Sequence, residues 1–173
     1  MIHTPNIIDN AAHMWRRLLG HSLCDVGAFS LAEVDELCEI AFTLQPTGAR
    51  MYVSSMQEDG KNDDCLFYWL SMRNSPHFKD GSLVPHVANS PAFASMMHGE
   101  ITSIHLFGDP TLDAVYASLV QTSKAAFAMA TARWLPNKQR FSRLGSDDLS
   151  VLDASTLQSC VGSQDLQLVA QLA

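Results

Sequence analysis

A chain of 173 residues, 47% hydrophobic and 17% charged, can build a packed core and is not an intrinsically disordered protein; its length suits one domain or one domain with a small appendage. The net charge of −7 opposes nonspecific adhesion to nucleic acid and suits solubility or contact with a basic surface. The uncharged run 125–132 is far shorter than the ~20 apolar residues that cross a bilayer, and MIHTPNIIDN lacks the basic start and apolar centre of a secretion signal, so a soluble cytoplasmic protein without membrane contact is expected.

Taken in order, Thr4 and Pro5 read as a helix cap and first helical position. They precede Ile7, Ile8, Ala11, Ala12, Trp15, Leu18 and Leu19 at helical spacing, and Gly20 is the stop. The spacing predicts a helix over 5–19. A second helix is predicted over 30–45. Ser30 and Glu33 form a capping box, Phe29 and Val34 a hydrophobic staple, and Leu31, Val34, Leu37, Cys38, Ala41 and Leu44 one apolar face. Pro46-Thr47-Gly48 would end it.

Residues 49–56 and 64–72 are rich in Tyr, Val, Phe, Trp and Leu and predict a hairpin around the polar loop 57–63. The CLFYWL run of the second strand is apolar on both faces, which predicts a central strand. The stretch 73–99 is irregular. Within it Ser90 and Pro91 suggest a short helix over 92–97 ending at Gly99, and EITSIHLF at 100–107 reads as a third strand. Asp109-Pro110 then opens what reads as the longest helix, 110–134. Leu112, Val115, Tyr116, Leu119, Phe127, Ala130 and Trp134 form its stripe, and Pro136 limits it. Short helices are expected after Ser146 over 147–152, over 155–161 and over 164–172. The expected fold is therefore α+β: a small three-stranded antiparallel sheet packed by three main helices, with a helical C-terminal tail. The expected division is an α+β domain at 1–135 and a short-helix extension at 136–173.

No nucleotide-binding or hydrolase motif is present. Cys24, Cys38, Cys65 and Cys160 match no zinc spacing and read as buried thiols. His77, His86, His98 and His105 lie seven to twelve positions apart, unlike paired metal ligands, and Glu58, Asp59, Asp63 and Asp64 lack the spacing of a calcium loop. No catalytic residue, metal or cofactor is expected. One segment differs from the rest in sign. Residues 1–108 carry 6 Lys/Arg against 12 Asp/Glu, whereas Arg133, Lys138, Arg140 and Arg143 follow one another with no acid between Asp113 and Asp147. Trp134 and Phe141 are interleaved with them. Arg133, Trp134, Lys138, Arg140, Phe141 and Arg143 are the candidate partner-binding residues; the alternative is cations placed at a helix C-terminus.

This segment also carries a family resemblance. Ala132-Arg133, Lys138, Phe141-x-Arg143-Leu144-Gly145, Asp147-Asp148 and Leu152-x-Ala154-x-Thr156-Leu157 together resemble the FlhD family of flagellar and conjugation transcriptional regulators, over about residues 110–170. The resemblance implies a dimeric, largely helical protein that activates transcription with a partner subunit.

Three functions follow as expectations. The first is a non-enzymatic regulator acting through protein contacts and forming homo-oligomers, with nucleic acid a less favoured partner. The second is an acidic inhibitor encoded on a mobile element and directed at host machinery, using Glu33, Glu36 and Glu39. The third is an enzyme using the His-rich 73–105 stretch.

Overall fold

A computed structural model describes residues 6–31, 36–57, 64–71, 97–146 and 148–173. Within them the chain is mostly β, with two helices, not the α+β arrangement expected. Helix α1 (Ile7–Arg16) is followed by four strands, β1 (Ser22–Leu31), β2 (Glu36–Gln45), β3 (Arg50–Gln57) and β4 (Asp64–Ser71), which form an antiparallel meander. A second sheet has the order β10-β7-β6-β5-β11. Its strands are β5 (Ile101–Asp109), β6 (Ala114–Thr122), β7 (Ala126–Ala130), β10 (Ser150–Asp153) and β11 (Gln167–Leu172). Between β7 and β10 lies a two-stranded hairpin, β8 (Trp134–Leu135) and β9 (Arg140–Phe141). Helix α2 (Ala154–Cys160) connects β10 to β11.

The first helix forms where its spacing predicts, and its cap is Asn6, whose side chain accepts the amide of Asp9 at 2.7 Å. Thr4 and Pro5 lie outside the described residues. Asp113 adds a second cap from 106 positions away in the sequence. Its carboxylate accepts Ile7 N at 2.8 Å and Ile8 N at 3.1 Å, so amides left without intrahelical partners are satisfied and a negative charge sits at the positive end of the helix dipole. Gly20, at φ +81°, turns the chain after the helix and donates to Ile101 O, which starts β1 beside β5.

The predicted helix 30–45 is instead parts of β1 and β2. Its apolar face omitted Ile40 and Phe42, and these two are fully buried. Ile40, Phe42 and Leu44 recur at period two on one side of β2, which is the pattern of a strand. Pro46-Thr47-Gly48 turns β2 into β3. The predicted β3–β4 hairpin is present with Tyr52 opposite Trp69 and Val53 opposite Tyr68. Among the described residues β4 is an edge strand rather than a central one, although both of its faces pack: Leu66 and Tyr68 toward one core, Cys65 and Phe67 toward the other. The 92–97 helix falls outside the described residues apart from Met97. The strand expected at 100–107 exists, but it belongs to the other sheet and pairs with neither β3 nor β4.

The predicted helix 110–134 is a β-hairpin. Asp109 opens a turn by accepting both the amide and the hydroxyl of Thr111, and its carboxyl is held below the usual value chiefly by that Thr111 hydroxyl. Thr122 closes the β6–β7 turn. Its Oγ1 accepts Lys124 N and Ala125 N and donates to Ala125 O. The expected helices over 147–152 and 164–172 are likewise corrected to β10 and β11, the two outer strands of this sheet; α2 corresponds to the helix expected at 155–161.

The central strands β6 and β7 of the five-stranded sheet are buried on both faces, and that is why their sequence reads as a helix. One face carries Ile104, Leu106, Val120, Phe127 and Met129. These pack with Trp15 and Leu18 of the α1 segment and with Leu23, Phe42, Met51 and Leu66 of the four-stranded sheet. The other carries Phe107, Tyr116, Ala117, Leu119, Ala128 and Ala130, covered by Leu157 and Cys160 of α2, by Leu166 and by Phe141. Each large apolar side chain taken out of water contributes on the order of 1.5–3 kcal/mol, so the two layers supply most of the driving force.

Candidate functional site

The six candidate residues converge on the small hairpin and its flanks. Thr131 leaves β7 with both its amide and its hydroxyl donating to Tyr116 O, and the same hydroxyl accepts Gly145 N at 3.3 Å. The two ends of the 131–145 excursion are therefore tied at its base. From there Arg133 leads into β8. Leu135 is extended, as a residue before proline must be, and Pro136 begins a 3-10 turn over Pro136–Lys138. Gln139 completes the reversal in the left-handed region (φ 50°), with its amide and side chain both donating to Pro136 O. Trp134 then lies opposite Phe141 and Leu135 opposite Arg140, and Ser142 N donates to Arg133 O at 2.9 Å.

Two-residue strands do not hold a hairpin by themselves; three anchors do so here. Phe141 is fully buried and meets the half-buried Trp134 ring edge to face, with centroids 5.2 Å apart. Ser150 accepts Trp134 N at 3.2 Å and donates to Ala132 O. The side-chain amide of Gln164 accepts Phe141 N and donates to Phe141 O, each at 3.0 Å. Gln164 and Ser150 carried no signal in the sequence, because both act on a main chain that only the fold brings to them.

Of the candidate residues, Arg133, Lys138, Arg140 and Arg143 are exposed, Trp134 is half-buried, and Phe141 belongs to the core and braces the hairpin from beneath. Lys138 ends the 3-10 turn, but no long helix precedes the cluster, as the alternative required; the cations lie on and beside a β-hairpin. The exposed Arg133 approaches the half-buried Asp148 at 3.9 Å. Arg140 Nε donates to Phe141 O. The projection thus presents cations and an aromatic edge and contains no carboxylate, thiol or imidazole, and cations of this kind can hold anionic groups.

Among the described residues the other candidates do not come together. His77 and His86 lie outside the described residues. His98 is exposed, and His105 is half-buried beside Phe107. Cys24, Cys65 and Cys160 are buried. Among the described residues no three His, Cys, Asp or Glu side chains are grouped to hold a metal ion, and no helix is long and apolar enough to cross a membrane. Glu33 is outside the described residues, and Glu36 and Glu39 lie on β2 rather than on a helix face. Comparison with protein-family models, with curated proteins and with solved structures finds no match for this chain.

Proposed function

We propose that the protein is a cytoplasmic, non-enzymatic regulator that works through protein contacts, and that the hairpin with its flanks, 133–143, is the surface it presents to an acidic partner. The observation that carries this reading is the exposure of Lys138, Arg140 and Arg143 on and beside one anchored projection of a chain whose net charge is −7. A rigid support lowers the entropic cost of ordering these side chains on binding, and local charge opposite in sign to the rest of the molecule steers an acidic partner to this place. The reading rests on the hairpin and not on the FlhD-like run, because the long helix expected there is a pair of strands.

The test compares the wild-type protein with the K138E/R140E/R143E variant in affinity purification at low and high salt. The wild type is expected to retain an acidic protein whose binding falls steeply with salt. The variant is expected to lose about tenfold or more in affinity at unchanged thermal stability. Equal retention by both proteins overturns the reading, and recovery of nucleic acid alone overturns the assignment of a protein partner.

A further inference from the structure

Between Thr131 and Ser146 the chain has a single side-chain hydroxyl, that of Ser142. Thr131, at the base of the hairpin, is buried and bonded to Tyr116 O and Gly145 N, whereas Ser142 is exposed.

The register of the hairpin sets Ser142 among cations. Trp134 lies opposite Phe141 and Leu135 opposite Arg140. One step further along, Ser142 N donates to Arg133 O at 2.9 Å, so Ser142 stands opposite Arg133. Opposite residues of an antiparallel pair share a face, with Cβ atoms ~4.5–5.5 Å apart. Alternation puts Arg140 on that face too, and Trp134 with Phe141 on the other. Arg140 Nε donates to Phe141 O at 3.3 Å, which keeps its guanidinium beside the peptide joining Phe141 to Ser142. The Arg133 side chain is 49% exposed, and Arg143 follows Ser142 in the chain.

We propose that Ser142 is a phosphorylation site, and that a phosphoryl group there, bracketed by Arg133 and Arg140, switches off the cationic surface of the hairpin. Ser142 Oγ attacks the γ-phosphorus of a nucleoside triphosphate held by a serine kinase. The Oγ–P bond forms, the bond from that phosphorus to the bridging oxygen breaks, the nucleoside diphosphate leaves with the electron pair, and the hydroxyl proton passes to a base of the kinase. Lys138 four positions before Ser142, Arg140 two before and Arg143 one after suit a kinase with an acidic substrate groove. The product carries about −1.5 to −2 charge at pH 7 and three acceptor oxygens, which guanidinium donors match. It therefore neutralises roughly half of the charge of Arg133, Lys138, Arg140 and Arg143 in place. The switch rests on the reading of the hairpin as a surface for an acidic partner; the modification itself does not.

Mass spectrometry of the full chain recovered from its native cells should find a phosphoryl group on Ser142. In vitro, a serine kinase that selects arginine two positions before its target should modify Ser142 in the wild type and several-fold less in R140Q. The second ionisation of the phosphoserine, followed by phosphorus NMR, should lie lower in the folded protein than in urea and should rise in R133Q and R140Q. Kinase treatment should weaken binding of the acidic partner about tenfold or more in the wild type and leave S142A at its own starting affinity. A Ser142 that carries no phosphoryl group in native cells overturns the proposal, and so does an acidic partner held equally before and after modification. A wild type that retains no acidic partner in either state overturns the hairpin reading instead, and the phosphoryl group and its ionisation then decide the modification alone.

Discussion

Gln164 and Phe141, 23 positions apart, meet as two strands would: the side-chain amide of one makes both an accepting and a donating hydrogen bond with the main chain of the other, each at 3.0 Å. Gln164 reaches this position from a left-handed backbone, φ 52°. Removing the amide takes this acceptor from Phe141 N–H beside a buried ring and leaves Phe141 C=O with Arg140 Nε as donor. Q164G should lower unfolding stability by about 1–3 kcal/mol. Q164A should fall about 1 kcal/mol further, because alanine resists the left-handed region that glycine accepts. Urea denaturation of the two variants beside wild type checks both steps; equal stability of Q164A and Q164G would remove the backbone contribution.

The Asp113 carboxylate on the first turn of α1 ties together segments 105 and 106 positions apart. D113A removes both acceptors and should cost about 1–2 kcal/mol. D113N keeps one acceptor and tolerates the positive φ of 49° found here, so it should cost less than D113A, about 1 kcal/mol or under. Thermal unfolding of the pair distinguishes a lost cap from a lost charge.

Alkaline pH gives a third expectation. The Tyr68 hydroxyl donates to Met14 O at the α1 segment, and burial pushes its pKa up to about 12 against the opposing pull of Arg17. The folded state therefore holds this proton more tightly than the unfolded chain, whose tyrosine titrates near 10. The contribution is fully present below about pH 10 and is lost as pH rises through about 12. Denaturation curves between pH 9 and about 12 should show the fall in wild type and a flatter profile in Y68F.

Ser118 offers a stabilising substitution. It is fully buried, lies opposite Leu106 and Met129 in the first core, and its hydroxyl has no hydrogen-bond partner among the described residues. S118A removes the unsatisfied group at almost no change in volume. The melting temperature should rise, with a gain of about 1 kcal/mol; a loss of stability would mean that the hydroxyl is satisfied.

Several elements follow from the sequence by itself: α1 from its apolar spacing, the β3–β4 hairpin from its aromatic and β-branched runs around a polar loop, the β5 strand, and the helix at α2. The cluster of cations with Trp134 and Phe141 was legible too, because charge and composition need no fold. The tertiary structure decided the rest. Val115, Tyr116 and Leu119 fit a helical stripe, but the whole run from Ala114 to Val120 is buried, because it is a strand of a sheet covered there on both faces. Phe127 and Met129 face α1 while Ala128 and Ala130 face α2, a division no local pattern announces. Strands β10 and β11 depend on partners 20 to 68 positions distant, and the choice of strand over helix there was made by those partners. The hairpin's shape is of the same kind: its residues could be named in advance, but its anchors, Ser150 and Gln164, act through distance in space rather than along the chain.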